Sequence, residues 1–190
     1  MTRRQQLGST RKRHAEARVA IGRVWPKDIE QPGAEGDALR AKLAKKIEEI
    51  GNAENESRGI EIGYSYAGSA ITCNSAGDEY QDDPLRYIPT TTPGYRPPAV
   101  YLEDDTPIFS LFGPGFTLLQ FAPDEIEAEA FASEAASIGL PLAIRPIGDR
   151  HAQSIYSHNL ILLRPDQHVA WRGQDVPSNL IEILKKVSGN

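Results

Sequence analysis

Residues able to carry chemistry crowd together in one stretch of this chain, between His158 and Gly173. It holds His158, Arg164, Asp166, His168, Trp171 and Arg172. Asp166 and His168 could supply two ligands to a metal, with His158 across a hairpin as a third. Arg164 and Arg172 flank Trp171 and could bind an anion. A simpler reading competes with both. An aspartate that follows proline in a turn bonds its own backbone, and arginines beside an indole pair with surface carboxylates or stack on the ring. The simpler reading is preferred.

Other constellations are weaker. Asp149, His151 and Ser154 could be drawn as a hydrolase triad, but no GxSxG elbow accompanies them. Cys73 is the single cysteine, so it forms neither an internal disulfide nor a CxxC pair, and it is expected as a small buried or edge residue. Gly113-Pro114-Gly115 is a lone GxG with Leu118 where a third glycine would belong and a strand, not a helix, to follow. Arg96, between Gly94 and Pro97, is expected to fasten an irregular segment to the core. No residue is assigned as catalytic, cofactor-binding or metal-ligating.

The elements that would position these residues can be read from pattern. Thr10 to Arg23 is helix-compatible and stops at Trp25-Pro26. Asp28 to Gly36 reads as a linker, and Asp37 to Asn52 as an amphipathic helix. Its stripe is Leu39, Leu43, Ile47 and Ile50, with Asp37 as N-cap and Gly51 as stop. Ile60 to Ile71 alternates with period two and predicts a strand. Asn74 to Pro98 is proline-punctuated, and its tyrosines (Tyr80, Tyr87, Tyr95) suggest that it is pinned across a neighbouring surface.

Regular pattern resumes after Ala99. Val100 to Leu102 is a short extended piece, Pro107 to Phe112 a short strand or helical turn, and Phe116 to Phe121 a buried strand. Asp124 to Ile138 is a helix ended by Gly139, Pro141 to Arg145 a strand, and Pro146 to Gln153 a loop. Leu160 to Leu163 and His168 to Arg172 form the hairpin around Arg164-Pro165-Asp166-Gln167, and Pro177 to Val187 is a last helix. The order β-α-β, then β-β-α, is the thioredoxin-like plan, with helices on both sheet faces. That fold keeps its reactive CxxC where the first strand meets its helix. Here the junction is Phe121-Ala122-Pro123-Asp124, which excludes disulfide exchange.

The hairpin resembles the terminal "LVRPD-x-HVAWR" element of FAD-dependent aromatic-ring hydroxylases of the phenol hydroxylase and hydroxyphenylpropionate hydroxylase type. The likeness runs through most of the chain in order. It includes Arg11-Lys12-Arg13-His14-Ala15, Gly59 to Tyr66, Asp83 to Thr90, Pro93 to Pro98, and Phe109 to Leu119. Ala99 stands where the family usually has histidine, and Tyr101 where it has tryptophan. The resemblance implies an α/β fold in three parts. Residues 1–58 are a helical arm and linker resembling the end of a flavin domain. Residues 59–98 are a strand with a proline-rich connecting segment, and 99–190 the thioredoxin-like domain. For a complete enzyme it implies FAD, NAD(P)H and dioxygen acting on a phenolic ring, with a flavin-binding domain or subunit as partner and a homodimer as an assembly. For this chain it implies no cofactor of its own and a structural, domain-packing or dimerisation role. The alternative is a stand-alone thioredoxin-like interaction or regulatory module without redox activity.

Bulk properties agree with a soluble protein. The chain has 190 residues, 39% of them hydrophobic, and no run approaches a membrane span. Six basic residues precede Val19 against Glu16 alone, which leaves 15 basic and 25 acidic residues beyond. No aromatic interleaves that basic arm, so nucleic acid is not expected as a partner. Without its docking surface the arm is expected to be mobile or re-docked. The N-terminus lacks the apolar core of a signal peptide, and a single cysteine fits a cytoplasmic location.

Overall fold

A computed structural model describes residues 3–23, 26–51, 57–66, 68–74, 78 and 83–190. It divides into two compact units. The first comprises Met1–Gly63 with Asp83–Tyr87, the second Tyr64–Asp82 with Ile88–Asn190.

The first unit is helical: α1 (Arg3–Arg23), α2 (Ala34–Ile50) and the single turn α3 (Arg58–Glu61). Three expectations change here. The arm is not free, because α1 packs on α2 and α3, and His14, 5% exposed, donates from Nε2 to the Gly51 carbonyl at 3.1 Å. The second helix starts three residues early. Arg40 donates to the carbonyls of Ile29 and Gln31 and so ties the helix start to the turn before it. Gly33, at φ 94°, is the cap, while Asp37 lies inside the first turn and pairs with Arg40. The C-terminal stop is Gly51, at φ 65°. The expected strand over Ile60–Ile71 is replaced by α3 and irregular backbone. Gly59 explains why: a Cβ there would stand 1.6 Å from the Asp83 carbonyl oxygen. Gly59 lets this turn sit directly on the backbone of Asp83 and Arg86, while a Cβ on Gly63, four residues on, would crowd the Gly59 carbonyl at 2.9 Å and the Tyr87 ring at 3.3 Å. Trp25 and Tyr80 lie outside the described residues.

The second unit is a mixed α/β domain. Strands β1 (Phe116–Gln120), β2 (Leu142–Pro146), β3 (Leu160–Leu163) and β4 (Val169–Gly173) lie in the order β2-β1-β3-β4. The β1–β2 pair is parallel, joined by α4 (Glu125–Ser137), and the other two pairs are antiparallel. This is the thioredoxin-like order expected. Pro146–Gln153 is not all loop, however. The Asp149 side chain accepts the Ala152 N–H at 2.7 Å and starts α5 (Arg150–Tyr156), which buries Ala152 and Tyr156 one turn apart. The last helix, α6 (Leu180–Ser188), carries Lys185 and Lys186 in its final turn, where they oppose the negative end of its dipole.

Alternation sorts the strands between two cores. Phe116, Leu118, Leu160 and Leu162 meet Phe131 and Ala135 of α4 and Leu184 and Val187 of α6. Leu119, Ile161, Leu163 and Val169 meet Tyr156 of α5, Ile147 and Ile108, the last from a 3-10 turn (Ile108–Leu111). Each fully buried leucine contributes about 1.5–3 kcal/mol relative to exposure. Helices therefore cover both faces of the sheet, as expected.

Candidate functional site

The β3–β4 hairpin is tied to other segments of the second unit by backbone hydrogen bonds. The β3–β4 register slips between Leu162 and Leu163, so Leu162 faces Trp171 while Leu163 faces Val169. Ala170 is the extra residue of a bulge. Without it, Val169 and Trp171 would share a face; with it, they enter opposite cores. The Ala170 carbonyl is satisfied by the Cys73 N–H at 2.9 Å, and Val169 exchanges bonds with Gly94 and Tyr95 on the same edge. The segment after residue 88 is thus pinned to β4, and Tyr95 is 2% exposed.

The candidate residues separate to the two ends of the hairpin. At the turn, Arg164 grips the Asp166 carboxylate through Nε and Nη2 at 3.2–3.3 Å and donates from Nη1 to the Val187 carbonyl that ends α6. Asp166 also accepts the His168 N–H at 3.3 Å, which is the backbone bond expected of it. Burial opposes charge on Asp166, but bonds from His168 and Arg164 hold its carboxyl well below the usual carboxylate range. His168 is buried, with its ring packed against both Tyr64 and Tyr66 at centroid distances of 4.9 and 4.8 Å. Arg96 reaches Gln167 at 3.4 Å and stacks over Phe109 at 4.6 Å, so it fastens the irregular segment as expected.

At the far end, Arg172 pairs with Asp78 and donates to Thr91 Oγ1, which in turn donates to the Tyr156 carbonyl. Asp78 is not a surface carboxylate; its side chain is 5% exposed. His158 lies at this end, and burial followed by the Arg172 charge pushes its pKa down. The metal set His158, Asp166 and His168 is therefore not assembled. Among the described residues no group of three candidate ligands converges.

The remaining candidates are also spent on structure. Asp149 caps α5 and accepts the Glu103 N–H at 2.7 Å, while Ser154 bonds the His151 carbonyl, so the drawn triad does not form. Cys73 is half-buried against the α6-side core, and burial pushes its thiol pKa up, away from a reactive thiolate. At the position of a thioredoxin-like thiol, Asp124 caps α4 by accepting the Glu127 N–H. Gly113-Pro114-Gly115 does not fit a pyrophosphate. A Cβ on Gly115 would stand 2.7 Å from the Pro141 carbonyl oxygen, and that carbonyl accepts the Phe116 N–H. The chain fills its own glycine turn.

Sequence reasoning missed Asp78, Thr91, Tyr64 and Tyr66 as hairpin partners. Asp78 lies 94 positions from Arg172, and no local pattern signals such a pair. Ala99 and Tyr101, the two departures from the family pattern, are exposed, Tyr101 at 69%.

Residues 90–190 match the family model described as aromatic-ring hydroxylase, C-terminal. The chain is 36% identical over 155 residues to an FAD-dependent monooxygenase of Penicillium oxalicum, covering 79% of this chain and 29% of that protein. It is 31% identical over 156 residues to phenol 2-monooxygenase of a Pseudomonas strain, covering 73% and 25%. Among solved structures, the rebeccamycin biosynthetic enzyme RebC with reduced flavin matches with a TM-score of 0.78 at 31% identity, over 98% of this chain and 34% of that one. The flavin-dependent monooxygenase PieE, solved with FAD and substrate, matches at 0.71 and 28% identity, over 84% and 31%. The chain spans 25–34% of the length of these relatives.

Proposed function

Because the chain belongs to the family of aromatic-ring hydroxylase C-terminal domains, we propose that it acts as the non-catalytic packing domain of a flavin-dependent hydroxylase. The observation that carries this reading is the state of the hairpin. Arg164, Asp166 and Arg172, the residues best suited to chemistry, are committed to one another, to α6 and to the connecting segment. Their work is to hold the domain together.

In the complete enzyme, FAD reduced by NAD(P)H would activate dioxygen toward a phenolic ring, and the flavin would lie in a partner domain. The open face of α2 supports such a partner. Leu39, Leu43 and Ile50 are only partly covered, and Ile47 is 48% exposed, although the four form one stripe. A stripe of this kind gains stability only when another surface covers it. The same domain serves dimerisation in this reading, and the protein works in the cytoplasm. No helix among the described residues is long and apolar enough to cross a membrane.

Supplying the purified chain with FAD, NADPH and phenol tests the proposal. NADPH oxidation no faster than with free FAD is expected. Phenol-dependent turnover well above that background would refute a non-catalytic role.

A further inference from the structure

Strand β2 stands at the edge of the sheet, and among the described residues β1 is its only strand neighbour. The ladder to β1 shows which of its backbone groups are left over. The Phe116 N–H donates to the Pro141 carbonyl and the Ile147 N–H to the Gln120 carbonyl. Successive residues of a strand turn opposite ways, so Pro141, Ala143, Arg145 and Ile147 point their backbone at β1. Leu142 and Ile144 therefore point their N–H and C=O groups outward. The Ile144 carbonyl accordingly accepts from Arg145 Nη1 at 3.4 Å, not from a strand. The open stretch is short and closed at both ends. Pro146, the next outward position, has no N–H to give. Two residues before Leu142, the Leu140 N–H is spent on the Ala135 carbonyl at 2.8 Å. The side chains at the open positions are apolar and half-buried, and they pack on the same core as Ile138 and Leu140.

We infer that this edge pairs with the same edge of a second copy, antiparallel about a two-fold axis at Ala143, which joins the two sheets into one. The pairing names the surface for the dimerising role read above and rests on that reading. Its fit comes from the strand itself. In that register Leu142 faces the partner's Ile144 and Ile144 the partner's Leu142, and each such pair exchanges both of its backbone bonds. A second copy thus uses every open group and leaves none to recruit a third, whereas a longer strand would find no donor beyond Ile144. Arg145, the charged residue of the strand, faces the partner's Pro141, so no like charges meet. Pairing also sets Leu142 and Ile144 against the same two side chains of the partner, which removes apolar surface from water.

Sedimentation velocity of the full chain tests the pairing. The native chain is expected to pass from monomer to dimer between about 1 and 100 μM. Ile144→Pro deletes an outward donor and should weaken association about tenfold or more. A native dimer that Ile144→Pro leaves unchanged would overturn the edge and leave the dimerising role standing. A chain monomeric throughout would overturn both, while the non-catalytic reading is judged by NADPH oxidation alone. If Ile144→Pro fails to fold, Ala143→Cys in a Cys73→Ser chain takes its place. The two-fold axis sets the paired residue-143 Cα atoms about 4.5 Å apart, within reach of a disulfide. Oxidised glutathione should then link most of the chain into dimers through position 143, while Ser137→Cys, an exposed control, gives background alone. Equal linking at the two positions would overturn the proposal.

Discussion

Arg172 and Asp78 form a largely buried ion pair, with side chains 18% and 5% exposed. Removing one member of such a pair costs more than the pair contributes, because the other charge stays out of water. Arg172→Ala should therefore lower stability by about 3 kcal/mol in urea unfolding. Adding Asp78→Asn should recover part of that loss, and no recovery would mean that packing, not charge, dominates. Asp166 behaves differently. It is more acidic in the folded chain than in the unfolded one, so it contributes stability above the unfolded value of about 3.9. That contribution is lost as pH falls below this value. Asp166→Asn should flatten the acid limb of the stability curve, measured by thermal unfolding between about pH 5 and pH 2. An acid limb as steep as in the native chain would contradict the assignment.

The strands show which elements can be read from sequence and why. Leu160 to Leu163 and the Arg164–Gln167 turn were legible because an apolar run before turn residues has few other solutions. The bulge at Ala170 was not, since it arises from pairing across the sheet and leaves no local mark. The α5 helix was missed because its start depends on one cap, Asp149, in a segment that otherwise reads as loop. Residues 60–66 misled more deeply. Ile60, Ile62, Tyr64 and Tyr66 alternate, yet Ile60 is 6% exposed and Ile62 39%, so the pattern marks no common face. Gly59 and Gly63 carried the truer signal. Gly59→Ala should destabilise the first unit, because its Cβ would collide with backbone that has no side chain to move aside. Loss of helical circular dichroism at a lower temperature than native would show it, and an unchanged transition would contradict it. In the second unit, Leu162→Ala should cost about 2–5 kcal/mol, set by the cavity that it leaves between α4 and α6.

For the whole molecule, the motifs that name the family are mostly packing devices. Gly59 and Gly63 permit a close approach, Tyr95 is buried on the β4 edge, and Arg164 ties the hairpin to α6. The thioredoxin-like order was therefore readable, and so was the absence of a thiol at the β1–α4 junction. What could not be read were the long-range ties, Asp78 with Arg172 and the tyrosines with His168, since only the folded chain brings them together. The proposal is that this chain, which is similar to the C-terminal part of flavin hydroxylases, binds no flavin of its own. It is tested most directly by incubating the purified chain with excess FAD, passing it through gel filtration and recording the absorbance of the protein peak. A peak without flavin absorbance is expected, and a stoichiometric yellow peak would contradict the account.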